Sequence, residues 1–359
     1  MLLRPRSSWT SSASPPPQLL ENYCVRQRSS AASRGSRRKS RTRRNDDFHR
    51  AGLVPPPIAS IDIGTNSVLL LVAQESRDGR LLSVEQHCEI TRLGEGVDAS
   101  GELQSAATHR TLTAIVDFAE RARELGVERL QIVGTSALRD ARNGAHFLAQ
   151  IQQRVGEDVA IISGQREAEL VLAGVQTSFG KLPSGSVVFD VGGGSTELIA
   201  MDDAGVALES LDVGAVRLTE RFITHDPPTS VELQAVKDAV RISLASLASE
   251  SIATYRHPPL LIGVSGTVTT LYAVENRLAR YEASRVDGRT LTRVQVLELV
   301  SRLAALCLDK RRKLPGLDPR RADVIIAGAL IVTEVMHFVG AQELRVADRG
   351  VRWGLLAGG

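Results

Sequence analysis

Asp62-Ile63-Gly64-Thr65-Asn66-Ser67 and Asp190-Val191-Gly192-Gly193-Gly194-Ser195 carry one pattern twice: Asp, then Gly two positions on, then Ser five positions on. Each copy follows an apolar run (Ile58 to Ile61; Val187 to Phe189) and precedes another (Val68 to Val72; Leu198 and Ile199). Each second run meets a turn signal, Asp78-Gly79 in the first copy and Asp203-Ala204-Gly205 in the second. The pattern predicts strand, polar glycine-bearing turn, strand, hairpin, with one unit used twice. Two such turns facing each other would aim amides and hydroxyls into one cleft, an arrangement suited to phosphate oxygens. One turn alone reads equally well as a hairpin without a ligand. The matched pair, together with a third hydroxyl-bearing turn at Ser265-Gly266-Thr267, favours the clamp.

Outward from the first copy, Leu112, Ile115, Val116 and Ala119 share one face of a helix-like stretch from Leu103 to Leu125. Leu130 to Val133 predicts a short buried strand ending in Gly134-Thr135-Ser136-Ala137-Leu138-Arg139. A helix with Phe147, Leu148 and Ile151 follows, then a strand at Val159 to Ile162, and Glu167 to Val175 predicts another helix. The second copy is followed by a long helical stretch from Ser230 to Ser249 and a strand at Leu260 to Val264. Helices near Val294 to Leu308 and Ala322 to Val339, and a strand at Glu343 to Ala347, complete it. Strands alternating with helices give an α/β fold with a mainly parallel layer behind each hairpin. The expected division is a basic tail at 1–57 and similar domains at 58–182 and 183–359, with a cleft between them.

The composition is that of a soluble globular chain: 359 residues, 43% hydrophobic and 24% charged. No apolar run approaches the ~20 residues that span a bilayer, so no membrane role is expected. Cys24, Cys88 and Cys307 are isolated and show no C-x-x-C spacing, which fits a reducing, cytoplasmic setting. The formal net charge of +3 conceals an asymmetry. Residues 1–57 hold 12 Arg/Lys against 3 Asp/Glu, a net of +9, leaving −6 for residues 58–359. This Ser- and Pro-rich basic segment predicts disorder. It reads as a solvated tail, a transit-type leader or a basic arm for a polyanion, and specific nucleic-acid recognition is not expected.

Asp62 and Asp190 end apolar strands, where an unpaired carboxylate is unfavourable. Either could simply cap its own turn. Facing each other with Glu197 nearby, they would suit a magnesium or manganese ion, which takes oxygen ligands and retains waters. Glu197 lies an odd number of positions from Asp190, so it faces the cleft only if strand alternation restarts beyond the glycine turn. Glu167 could be an ordinary first-turn helix residue. Arg139 could be a surface charge or a bidentate phosphate contact. The seven His form no H-x-x-x-H or H-E-x-x-H pattern, and no G-x-x-x-x-G-K-[ST] or G-x-S-x-G occurs. Zinc hydrolysis, P-loop NTPase chemistry and serine hydrolysis are therefore disfavoured.

From Ile58 to about Leu356 the chain resembles the exopolyphosphatase / guanosine pentaphosphate phosphatase family, of the duplicated sugar kinase–actin–Hsp70 fold. The resemblance rests on Asp62 to Ser67, Arg92-Leu-Gly-Glu-Gly96, Gly134 to Arg139, Ile162 to Ala168 and Phe189 to Leu198. Further on it includes Gly214 to Glu220, Gly263 to Thr267 and Leu314-Pro-Gly-Leu317. It implies a metal-dependent phosphohydrolase acting on inorganic polyphosphate or guanosine pentaphosphate. Glu167 would be the base that deprotonates the attacking water, Asp190 and Glu197 would support magnesium and water, and Arg139 would steady the phosphoryl group. Gly64, Thr65, Asn66 and Ser67, Gly192, Gly193, Gly194 and Ser195, and Ser265, Gly266 and Thr267 would bind phosphate.

Three departures qualify the resemblance. Arg166 stands where many relatives have a glutamate, placing a positive charge beside the base. Arg352-Trp353-Gly354 stands where Arg-Glu-Gly is common. The chain matches a short, two-domain form, which puts processivity on long chains in doubt and leaves a homodimer open. An ATP-dependent phosphotransferase of the same fold and a catalytically weak polyphosphate or alarmone sensor are the rival expectations.

Overall fold

The computed structural model describes residues 55–203, 205–247 and 255–358. Its eleven described strands are β1 (Ile58–Ile63), β2 (Val68–Glu75), β3 (Leu81–Glu89), β4 (Arg129–Gly134), β5 (Val159–Ile161), β6 (Val187–Val191), β7 (Thr196–Asp202), β8 (Gly205–Leu211), β9 (Leu261–Val264), β10 (Thr290–Thr292) and β11 (Glu343–Val346). They form two sheets, ordered β3-β2-β1-β4-β5 and β10-β11-β9-β6-β7-β8. In the first, β1, β2 and β3 form an antiparallel meander, and β4 and β5 extend β1 in parallel. In the second, β6, β7 and β8 repeat the meander, and β9 and β11 repeat the parallel extension. Antiparallel β10 is an addition at the edge of the second sheet. This is the duplicated actin-like architecture that the repeated hairpin predicts.

Strand alternation decides which residues look at the cleft. In β1 and β2, Ala59, Ile61, Ile63, Val68, Leu70 and Val72 all enter one core with the Ser105–Glu124 and Gly144–Val155 helices. With every second position of β1 committed to that core, Ser60 and Asp62 must face the other way. In β6, Val187, Phe189 and Val191 enter the core of the second half, which leaves Val188 and Asp190 on the opposite face. Both aspartates therefore point toward the seam between the sheets.

Two helices fill that seam. Ser163 caps the Gly164–Phe179 helix by accepting from Arg166 N (3.1 Å), and Gly180 ends it. This helix packs on β7 and β8 of the second sheet, whereas the final Val351–Ala357 helix packs on β1 and β2 of the first. Val133, Ile162, Ala168, Val171, Val188, Ile262, Val264 and Val351 form one apolar cluster with contributions from both sheets. Trp353, the departure from the common motif, is buried with Leu71, Ala73 and Leu356.

Several details differ from expectation. Ser265 to Thr270 is not a turn but the start of a helix, Ser265–Glu275, because Val268, Leu271 and Val274 continue the apolar face into the core. The long helix ends at Ala245, and the stretch expected to begin near Val294 is preceded by strand β10. The basic segment lies outside the described residues except for Pro55–Pro57. Pro55 O accepts from Gln74 Nε2 (2.7 Å) and Pro57 O from Glu128 N (3.0 Å), so the folded part includes these prolines. No helix among the described residues is long and apolar enough to cross a membrane.

Candidate active site

The two turns have the same internal hydrogen bond: Gly64 N donates to Ser67 O and Gly192 N to Ser195 O, each at 3.0 Å. Neither Gly64 nor Gly192 has a positive φ. Compactness, not a left-handed backbone, selects glycine there. The turns meet where the second is most stripped down. A Cβ on Gly193 would lie 2.9 Å from Thr65 Cβ, and one on Gly194 would lie 2.3 Å from Ser136 Oγ. Thr65 and Ser136 of the first half thus occupy space that glycine leaves open in the second.

Between the halves lies a cleft of about 610 Å³. Its lining includes both turns, Asp62, Glu167, Asp190, Ser265, Gly266, Thr267, Arg280, Tyr281, Arg321, Asp348 and Arg352. Ser265 holds φ 94, a left-handed conformation that is unfavourable for a residue with a Cβ and is concentrated at functional sites.

One end of the cleft is acidic. Burial, then the charge of Glu167, pushes the Asp62 carboxyl up to about 7, with Arg352 opposing. Burial, then Glu167 and Asp62, pushes Asp190 up to about 8. Burial also raises Glu167, while Arg139, with Nη1 3.0 Å from Glu167 Oε2, favours its charged form. These carboxyls share one poorly solvated region, and the charge of Glu167 raises both aspartates, as a like charge must.

Arg139 is placed differently from a direct phosphate contact. Its guanidinium is spent on Glu167 and on Ile162 O (2.9 Å), and it does not line the cleft. The reason is local: the Ser136–Asp140 helix starts immediately after β4, which points Arg139 at the N-terminus of the neighbouring helix. Arg166 turns outward to Glu169 (2.7 Å), so the charge facing Glu167 belongs to Arg139. Arg217 is also committed, to Asp98, Asp140 and Gly194 O.

Glu197 resolves its parity question through register. It pairs directly opposite Asp190 across the hairpin, and opposed residues share a face. It is nevertheless not part of the cleft wall. Its side chain is 1% exposed, accepts from Ser210 Oγ (2.9 Å) and bonds Ser195. Burial, then Glu167 and Asp190, pushes its carboxyl well above the ordinary range. Accordingly, Asp62, Asp190 and Glu197 do not assemble as a three-ligand cage. Among the described residues, no group of three or more His, Cys, Asp or Glu could hold a metal ion by itself.

A hydrated divalent cation still fits the remaining donors. Asp62 Oδ1 and Asn66 Oδ1 are buried without a hydrogen-bond partner, and the charge of Asp62 helps to raise Asp190. Magnesium commonly uses one or two carboxylates with waters and substrate phosphates completing the shell. The residues missed from the sequence are two cations of the cleft lining, Arg280 and Arg321, with Tyr281; Arg321 Nη2 lies 3.5 Å from Ser67 Oγ of the first turn. Arg321 lies just past the Leu314-Pro-Gly-Leu317 motif, which was its only sequence signal.

A model of the Ppx/GppA phosphatase family matches residues 71–358, most of the chain. The chain belongs to the Ppx/GppA phosphatase family. It is 36% identical over 314 residues to Exopolyphosphatase 2 of Mycobacterium tuberculosis, an alignment taking in 83% of this chain and 97% of that protein. The crystal structure of the Aquifex aeolicus family member superposes with a TM-score of 0.69 at 32% identity, covering 84% of this chain and 97% of that one. An exopolyphosphatase from Cytophaga hutchinsonii gives a TM-score of 0.77 at 28% identity, with 84% and 96% covered. The matched region begins within β2 and takes in the second turn and the whole second sheet, while the first turn, Asp62 to Ser67, precedes it.

Proposed function

We propose that the protein is a phosphohydrolase that releases terminal orthophosphate from inorganic polyphosphate, with the 5′ γ-phosphate of guanosine pentaphosphate as the finer alternative for the same cleft. The observation that carries this reading is the lining of the cleft. Both glycine turns and the carboxyls of Asp62, Glu167 and Asp190 line it together with Arg280, Arg321 and Arg352, three cations without a salt bridge to any described residue. Such a surface suits an extended anion whose reacting end sits among carboxyls bridged by a cation. The name of the Mycobacterium tuberculosis relative supports polyphosphate over other anions.

In this reading Glu167 takes a proton from a water, whose oxygen forms a bond to the terminal phosphorus as the bridging P–O bond breaks. Orthophosphate leaves, and the electron pair stays on the shortened chain. Arg139 keeps Glu167 charged and oriented, so it is a positioning residue. The amides and hydroxyls of both turns hold the phosphoryl oxygens, and Arg321, Arg280 and Arg352 hold the following phosphates. Asp62 and Asp190 would hold a magnesium or manganese ion, which when bound neutralises charge on the phosphoryl oxygens.

The test is orthophosphate release from polyphosphates of several lengths and from guanosine pentaphosphate, with and without added magnesium. Release from polyphosphate that stops on chelation is expected. Binding without turnover, or phosphate transfer to ADP, would replace this proposal with one of the rival activities.

A further inference from the structure

The Arg92-Leu-Gly-Glu-Gly96 motif has no place in that chemistry, yet it touches both halves. On its own side it holds the first turn by the backbone: Arg92 N donates to Asn66 O (3.0 Å) and Gly94 N to Thr65 O (2.9 Å). The approach is so close that a Cβ on Gly94 would lie 2.2 Å from Thr65 Cγ2. On the other side its polar ends cross the cleft. Arg92 Nη2 reaches Asp323 Oδ1 (2.6 Å) and Arg320 O (2.8 Å), and Gly96 N reaches Glu220 Oε1 (3.2 Å). Just beyond the motif, Asp98 receives Arg217 Nη1 (2.6 Å) and Arg221 Nη2 (2.5 Å).

Arg217 closes the circuit. Its Nε donates to Gly194 O (2.7 Å) in the second turn, and its Nη2 reaches Asp140 Oδ2 (2.5 Å) in the first half. The first turn is thus tied through its carbonyls to the backbone of the Arg92 motif, the second through Gly194 O to the Arg217 guanidinium, and ion pairs join these two supports across the halves. We infer that this set of contacts is a latch that sets the spacing of the two phosphate turns, with Arg92 and Arg217 as positioning residues.

The electrostatics divide the latch in two. Arg217 and Asp98 are 12% and 14% exposed, so removing one partner leaves a poorly solvated charge unpaired. Arg92 and Asp323 are 31% and 29% exposed and are open to screening by salt. Arg92 also holds a left-handed φ of 54, a conformation that this side chain keeps only while its contacts define it. Loosening the outer pair should lower the population of the closed arrangement. Substrate must then do the closing, which weakens apparent affinity in proportion while leaving the saturated rate intact.

The inference rests on the proposed hydrolysis only for its kinetic readout. Small-angle scattering reports closure whether or not the substrate is right. Asp323→Asn keeps the shape of the side chain and removes its charge, and Arg217→Lys removes the planar fork that serves several acceptors at once. Each variant should increase the radius of gyration of the ligand-free protein at low salt. Each should raise KM for a short polyphosphate about 3- to 10-fold, with kcat within about twofold. For Asp323→Asn the difference from the parent should vanish in ~0.5 M salt, where the parent pair is itself screened. The reversed pair, Arg92→Asp with Asp323→Arg, should restore both readouts.

An unchanged radius of gyration and KM in both variants would overturn the latch. A fall in kcat at unchanged radius would also overturn it, since the motif would then act on chemistry and not closure. If no substrate is turned over but the radius responds as expected, the latch stands and the proposed function fails.

Discussion

The hairpin at Asp62 and the hairpin at Asp190 share a backbone, an aspartate and a serine, and diverge in the residues between and opposite them. Both close through a Gly N to Ser O bond of the same length, and both turn an aspartate to the seam, Asp62 buried and Asp190 half-buried. Where the first has Thr65 and Asn66, the second has Gly193 and Gly194, and the first packs into the gap. Opposite Asp62 the first has Leu69, whereas opposite Asp190 the second has Glu197. Duplication thus supplied two matched turns, and divergence made them complementary. They act as a protruding turn seated against a hollow one, with the extra carboxyl on the hollow side.

Glu167 is the strongest test of that asymmetry, since its charge raises Asp62, Asp190 and Glu197 alike. Glu167→Gln keeps the shape and can still bond Arg139 but cannot accept a proton. Turnover of polyphosphate should fall about 10²- to 10⁴-fold with KM little changed. Wild-type kcat in this variant would reduce Glu167 to a helix-end residue and leave the cleft without a base.

Making the hollow turn resemble the protruding one comes next. Gly193→Ala places a Cβ against Thr65 Cβ and Asn66 N, where neither backbone nor branched side chain can yield cheaply. Overpacking of this kind destabilises by about 1–3 kcal/mol, and the displaced turns should lower kcat/KM about 10- to 100-fold. The double variant Gly193→Ala with Thr65→Gly should regain part of both losses. Full activity in the single variant would mean that the turns do not need to touch.

The shared aspartates predict a stability profile. Both carboxyls are raised, to about 7 and about 8, so the folded metal-free protein holds protons that the unfolded chain, with an ordinary aspartate value of 3.8, has released. Stability from these groups is therefore largest at low pH and declines as pH rises through the folded values. The Tm of metal-free protein should fall by several °C between pH 6 and pH 9. Magnesium should recover most of that loss at pH 9 and little at pH 6. Asp190→Asn should flatten the profile while removing activity. A profile equally steep in Asp190→Asn would assign the effect to other groups.

How much of this was legible depends on whether a feature is local or arises by register. The repeated strand–turn–strand pattern is local, and it was enough to predict the two matched sheets. The apolar alternation of β1 and β6 likewise fixes which way Asp62 and Asp190 face. The proximity of Arg139 to Glu167 is different. It depends on where a short helix leaves β4 and where another begins after β5, and no spacing in the sequence encodes that distance. Arg280 reaches the cleft from a loop and Arg321 from the 3-10 turn Pro319–Arg321, both far along the chain, so only a packed fold reveals them. Trp353 was visible as a departure but not as a core residue, because its burial depends on the exchange of helices between the halves.

Glu197 should show the smallest effect, and its size decides what divergence placed opposite Asp190. Its carboxyl is buried, raised well above its ordinary value, and held by Ser210 and Ser195. Burial favours its protonated form, which predicts a hydrogen-bonding brace for the second turn, since Ser195 is the turn's last residue. Glu197→Gln preserves size and an acceptor, so turnover should stay within about threefold and Tm within about 2 °C. Glu197→Leu copies the first hairpin but strands the buried Ser195 hydroxyl. Leaving it unpaired costs about 1–3 kcal/mol, and loosening Ser195 should raise KM more than it lowers kcat. A loss beyond about 10²-fold in the Gln variant would show that Glu197 works as an ionised carboxylate. The acidic end would then belong to the second hairpin as a pair, and Asp62 would be the auxiliary member.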